Sequence, residues 1–188
     1  MELIYPASLT KLMTAILLLD NYNLDDTINV KYPDEYNSLG KVAYIEDNTE
    51  ITIENLLELL LIYSANDAAY IAALAVSDTL DNFIVLMNEK AKSLNMLNTN
   101  YVNPDGLDDD NHYTSIDDLL ELAKATINNI ELLTILSKTN FISNASGYEK
   151  EYKTTNLLIN EGFIGIKTGW TNKAGLTFIG FNQENNRQ

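Results

Sequence analysis

Apolar residues at Leu9, Leu12, Met13, Ile16 and Leu19 recur at the spacing of one helical face, and Ala15, Leu17 and Leu18 fill most of the remaining surface. The pattern predicts a helix buried nearly all round. Asp20 to Tyr36, rich in Asn and Asp, reads as a polar loop. Val42–Ile45 and Ile51–Ile53 flank a polar stretch and predict a small hairpin, followed by a helix starting near Thr52 with Glu54 in its first turn. Leu56, Leu57 and Leu59 to Ile62 predict a second buried helix ending at Ser64-Ala65-Asn66-Asp67.

Beyond Asp67 the small residues Ala68, Ala69, Ala72 and Ala75 predict a helix able to pack closely, and another runs from about Leu80 to Leu94. Asn103-Pro104-Asp105-Gly106 is a turn, continued by an acidic loop to Asn111. Ser115, with Asp117 and Asp118 after it, opens a helix to about Thr126, and Ile130–Leu136 adds a short one. Phe141 to Asn160 reads as irregular. Phe163–Lys167 and Leu176–Phe181 predict a hairpin, joined through Gly169 to Gly175.

At 188 residues and 46% hydrophobic, the chain suits one domain, residues 1–188, with a proper core. A net charge of -15 argues against nucleic acid or an anionic membrane surface as partner, because both need Lys/Arg clusters. The absence of cysteine excludes disulfides, thiolate zinc sites and a cysteine nucleophile. No apolar run reaches the roughly 18 residues of a spanning helix, and no signal peptide or membrane anchor is visible. The polar tail 182–188 and the short lead before Ser8 suggest a chain cut at both ends.

Ser8 and Lys11 stand three residues apart at the start of the first helix, so hydroxyl and amine share a face. An amine held in apolar packing loses its charge more easily and can take a proton from the hydroxyl, making Ser8 a nucleophile. The same residues also describe a capping serine and a lysine snorkelling from a core helix. Ser38-Leu39-Gly40-Lys41 repeats the spacing in a turn-like context, so the motif alone decides nothing. The deciding signal is a set in fixed order: Ser8-Leu9-Thr10-Lys11, Ser64-Ala65-Asn66 and Lys167-Thr168-Gly169.

With Pro6 to Ala15, Ser64 to Ala68, Asn103 to Leu107, His112 to Ser115 and Gly165 to Thr171, the chain resembles the D-alanyl-D-alanine carboxypeptidases, the low-molecular-mass penicillin-binding proteins. The resemblance implies an α+β transpeptidase-like fold, a helical cluster on an antiparallel sheet, lacking here the family's outermost N- and C-terminal strands. It implies Ser8 as nucleophile toward the carbonyl between two D-alanines of a peptidoglycan stem peptide, and Lys11 as general base. Ser64 would relay a proton to the leaving amine, and Asn66 would bind Lys11 and the substrate amide. Lys167 would help keep Lys11 neutral and attract the terminal carboxylate, Thr168 would hydrogen-bond that carboxylate, and Gly169 would let the substrate lie alongside as an added strand. The backbone N–H groups of Ser8 and Trp170 would form the oxyanion hole.

The resemblance further implies β-lactam antibiotics as covalent ligands, an extracytoplasmic location, and no metal or cofactor. His112, the only histidine, lacks ligand spacing beside Asp108 to Asp110 and reads as structural. A β-lactamase is the nearest enzymatic rival, but no Glu-x-x-Leu-Asn segment lies between the second and third motifs. The rival from another class is a catalytically silent fragment that at most binds peptidoglycan or another chain.

Overall fold

The computed structural model describes residues 2–34, 36–37, 39–159 and 163–182, without the side chains of 163–165. The tail 183–188, and Ser38 of the second Ser-x-x-Lys, lie outside the described residues. A 3₁₀ turn, Ala7–Thr10, leads directly into α1, Lys11–Leu19, whose residues 11–18 are all buried. Its all-round apolar surface is met by α3 (Asn66–Val76), α4 (Leu80–Ser93) and α5 (Ile116–Ile127), so α1 runs through the centre of the molecule. Truncating Leu12, which is wholly enclosed, to Ala would cost about 2 to 5 kcal/mol.

The other helices follow their sequence signals. Thr52 caps α2 (Ile53–Glu58) by accepting from the Asn55 N–H, and Ser115 caps α5 by accepting from Asp118. Asn129 accepts from two N–H groups at the start of α6, Ile130–Leu136. α2 widens into a π turn, Leu59–Tyr63, which closes on Ser64 in the left-handed region at φ 68°. No single helix among the described residues is long and apolar enough to cross a membrane.

Among the described residues, three antiparallel strand pairs flank this cluster, and two of them depart from the sequence expectation. β1 (Thr27–Asn29) lies in the stretch read as loop and pairs with β2 (Glu50–Thr52), placing Ile28 opposite Ile51. The expected hairpin partner of Ile51–Ile53, Val42–Ile45, is no strand. Its Ala43 and Ile45 N–H groups donate to the Asp67 carboxylate at the start of α3 (3.0 and 3.2 Å), and Tyr44 turns to φ 60°. The region read as irregular contains β3 (Asn140–Ser143) paired with β4 (Lys150–Lys153), sealed by Phe141 stacked on Tyr152. Its turn carries Gly147 at φ 80°.

The third pair, β5 (Phe163–Thr171) and β6 (Gly175–Asn182), is the predicted hairpin with a tighter loop, Asn172 to Ala174. Lys167, Thr168 and Gly169 therefore sit inside β5 rather than at its end. A bulge between Gly165 and Lys167 interrupts the register, and Ile166 and Lys167, which strict alternation would put on opposite faces, are both buried. β5 packs on the 3₁₀ turn and on α6, bringing the third motif over the first.

Candidate active site

All three motifs converge on one cleft. Ser8, Ser64, Asn66, Thr168, Gly169 and Trp170 line a cavity of about 640 Å³, and Lys11 and Lys167 lie beneath its floor, 0% and 2% exposed. β5 passes so close to the 3₁₀ turn that a Cβ on Gly169 would stand 2.9 Å from the Ser8 nitrogen. Ala7, which precedes Ser8, has φ 51°, so left-handed residues stand at or beside both serines. Such conformations persist only where the surroundings impose them.

Lys11 Nζ lies 3.0 Å from Ser8 Oγ, 2.7 Å from Asn66 Oδ1 and 2.6 Å from the Asp105 carbonyl oxygen. Asn66 Nδ2 donates to the Leu39 carbonyl (2.8 Å), which fixes the amide so that its oxygen faces Lys11. Two of the three neighbours of Nζ are thus pure acceptors. A neutral amine has two N–H donors and one lone pair, so donating to both carbonyls aims the lone pair at the Ser8 hydroxyl. Burial lowers the Lys11 pKa to about 8, opposed by the Asp105 and Asp67 charges and assisted by Lys41.

Lys167 Nζ donates to Ser64 Oγ (2.8 Å) and to the Thr168 carbonyl (2.7 Å). Burial, with Lys11 and Lys41 nearby, holds its pKa well below the ordinary lysine range. Lys167 Nζ is thus enclosed beneath the cleft and holds the Ser64 hydroxyl from behind. Thr168 Oγ1 donates to Thr155 Oγ1 (2.7 Å) on the cleft wall. Trp170 is 63% exposed and forms the lip of the cleft rather than packing in the core.

His112 binds no substrate-facing group. Its Nδ1 accepts from the Val102 N–H (3.1 Å), which puts the ring proton on Nε2, where it donates to Thr10 Oγ1 (2.8 Å). Burial drops its pKa to about 4. The ring braces the turn that carries Ser8.

Three contributors escaped the sequence reading. Thr155 lies in the stretch read as irregular, and the Asp105 carbonyl is main chain and has no residue signature. Asp67, at the start of α3, reaches back to the Ala43–Ile45 segment after Gly40, a contact that no local pattern announces.

The family described as D-alanyl-D-alanine carboxypeptidase matches residues 2–188. D-alanyl-D-alanine carboxypeptidase DacF of Bacillus subtilis is 34% identical over 186 residues, covering 92% of this chain and 46% of that protein. The chain thus spans about half the length of that relative. Among solved structures, a D-alanyl-D-alanine carboxypeptidase from Mycobacterium tuberculosis superposes with a TM-score of 0.89 at 27% identity, over 97% of this chain and 70% of that one. Penicillin-binding protein D2 of Listeria monocytogenes, in its cefotaxime-bound form, gives 0.81 at 29% identity, over 97% and 76%. By fold and by sequence along nearly its whole length, this chain belongs to the D-alanyl-D-alanine carboxypeptidase family.

Proposed function

We propose that residues 1–188 form one catalytic domain that removes the terminal D-alanine from peptidoglycan stem peptides through an acyl-enzyme on Ser8. The observation that carries this reading is the environment of Lys11: an enclosed amine with its pKa lowered to about 8, held by two carbonyl acceptors and 3.0 Å from the Ser8 hydroxyl, so that once deprotonated it keeps two N–H groups for the carbonyls and a lone pair for the hydroxyl. That arrangement is a general base set against a nucleophile.

Ser8 Oγ attacks the carbonyl carbon of the penultimate D-alanine while its proton passes to Lys11 Nζ. The carbonyl oxygen takes the charge, facing the N–H groups of Ser8 and Trp170. The C–N bond then breaks, and the leaving amine receives a proton through the Ser64 hydroxyl, which Lys167 orients from behind. Water attacks the Ser8 ester, giving the shortened peptide and free Ser8. A β-lactam enters by the same first step, but its leaving amine stays tethered in the opened ring. The substrate places the protein outside the cytoplasmic membrane.

The test is release of D-alanine from diacetyl-L-Lys-D-Ala-D-Ala by the wild type, Ser8→Ala and Lys11→Met. Release by the wild type alone is the expected result. Folded wild type that binds the peptide without releasing D-alanine would favour the silent-fragment reading.

A further inference from the structure

Among the described residues the fold buries four carboxylates, Glu58, Asp67, Asp105 and Asp118, and Asp105 differs from the rest. Both oxygens of Glu58 are partnered, by Lys138 and by the Asn55 amide, and the Asp67 carboxylate accepts from the Ala43, Ile45 and Ala68 N–H groups. Asp118 accepts from the Asn98 N–H and the Thr99 hydroxyl. Asp105 is 1% exposed, and its Oδ1 accepts from the Leu107 N–H (3.1 Å), but its buried Oδ2 has no hydrogen-bond partner among the described residues. A buried anionic oxygen without a donor is costly unless an opposite charge lies close.

The turn that carries Asp105 also holds Lys11. The Asp105 carbonyl accepts from Lys11 Nζ at 2.6 Å, the Pro104 carbonyl accepts from Thr14 Oγ1 (2.7 Å), and Asn103 Oδ1 accepts from the Gly106 N–H (2.7 Å). Gly106 packs against the Ala7 carbonyl, so the turn is clamped on the start of α1 and its carboxylate cannot swing out to water. Burial pushes the Asp105 carboxyl up and the Lys11 amine down, and in each case the other's charge is the foremost opposing influence. The remaining charged or titratable groups around the pair come from three elements. On α3, Asp67 is already met by main-chain N–H groups, and Tyr70 faces Asp105 as a neutral phenol, its pKa pushed up by burial and by the Asp105 charge. Lys41, whose carbonyl accepts the Asn66 N–H (2.7 Å) and whose ammonium stands 4.0 Å from the Tyr63 ring centroid, and Lys167 on β5 are cations that repel a charge on Lys11. Asp105 is the carboxylate left to balance them.

Resting on the function proposed above, we infer that Asp105 is a positioning residue that acts through Lys11: its carboxylate stabilises the ammonium that Lys11 becomes on taking the Ser8 proton. The O–H bond of Ser8 breaks as the bond from Oγ to the substrate carbon forms, the proton rests on Lys11 Nζ, and Asp105 neither gains nor loses one. The same charge makes Lys11 harder to deprotonate beforehand. Asp105 therefore strengthens the base while reducing the share of Lys11 present as free base at neutral pH.

The experiment uses Asp105→Asn, with Asp105→Ser beside it because a hydroxyl there can still accept from the Leu107 N–H. The titration of Lys11 is followed by NMR in protein isotope-labelled at its lysine side chains, the resonance being assigned by its absence from Lys11→Met. In parallel, kcat/KM for D-alanine release from diacetyl-L-Lys-D-Ala-D-Ala is measured from about pH 6 to 10. Removing the charge should move the Lys11 midpoint, by NMR and in the rate profile alike, down by on the order of one pH unit. The plateau at high pH should fall on the order of 3-fold, because a weaker base takes the Ser8 proton less readily. The variant then outpaces the wild type at the low end of the range and trails it at the high end, whereas a structural defect lowers the rate throughout and cannot make the profiles cross. An unmoved midpoint in a folded variant, or a parallel loss at every pH, would overturn the inference and leave the proposed activity standing. A lowered NMR midpoint in a protein whose wild type releases no D-alanine would sink the proposed activity and keep the coupling of Asp105 to Lys11.

Discussion

Gly106 and Gly175 both hold positive φ, at 87° and 66°, yet their surroundings differ completely. An alanine in the left-handed region costs about 1 to 2 kcal/mol, partly offset by about 0.4 to 1 from a less flexible unfolded chain. At Gly175 nothing stands within 4 Å of a new Cβ, so Gly175→Ala should cost about 1 kcal/mol or less. At Gly106 the Cβ would stand 1.9 Å from the Ala7 carbonyl oxygen, 2.4 Å from its carbon and 2.9 Å from Thr10 Oγ1. The Ala7 carbonyl, which is main chain, must retreat by about 1 Å or more, and the Thr10 hydroxyl, held by His112, by a few tenths of an ångström. Overpacking of that kind adds about 1 to 3 kcal/mol, bringing Gly106→Ala to roughly 2 to 4. The Ala7 carbonyl and the Ser8 N–H belong to one rigid peptide plane, so displacing the first rotates the second. If that N–H stabilises the oxyanion, acylation by a penicillin should fall on the order of 100-fold. Urea titration and the second-order rate of fluorescent-penicillin labelling measure the two effects. Equal stability losses in both variants, or a Gly106→Ala protein labelled at the wild-type rate, would refute this reasoning.

Three further outcomes follow from the described contacts. Because Lys11 must be neutral to accept the Ser8 proton and loses its charge near pH 8, kcat/KM should rise as pH increases through about 8; a flat profile from about pH 6 to 9 would exclude Lys11 as the base. His112 binds its proton near pH 4 when folded but near 6.5 when unfolded, so between these values the unfolded state holds more protons and stability falls as pH drops. The loss approaches about 3 kcal/mol by pH 4.5 and should be absent from His112→Asn when urea midpoints at pH 7.5 and 4.5 are compared. Asp67→Ala strands the N–H groups of Ala43, Ile45 and Ala68, and should cost about 3 kcal/mol or more in urea denaturation; a loss below about 1 kcal/mol would show that water replaces the carboxylate.

What could be read from the sequence follows the range of the interactions involved. α1 and α5 are written in local terms, an apolar period and a capping serine, and the structure has them within a residue or two. The β1–β2 pair was missed because Thr27–Asn29 is three residues long and finds its partner across twenty residues of chain. The missed β3–β4 pair relies on Phe141 and Tyr152 meeting across a turn, with little alternation in either strand. At the site, the three motifs were visible as residues, and their convergence depends on the β5 bulge that turns Lys167 inward beside Ile166. The Asp105 carbonyl and the Lys41 ammonium were not legible, since the first is main chain and the second is placed by its fit to Asn66 and Tyr63.

The central claim is that Ser8 is the nucleophile, and intact-mass measurement after incubation with benzylpenicillin tests it most directly. The account predicts a one-to-one adduct with the full mass of the drug, mapping to the peptide that contains Ser8, persisting after the free drug is removed, and absent from Ser8→Ala. An unmodified mass in protein shown to be folded, or an adduct on any other residue, would contradict it.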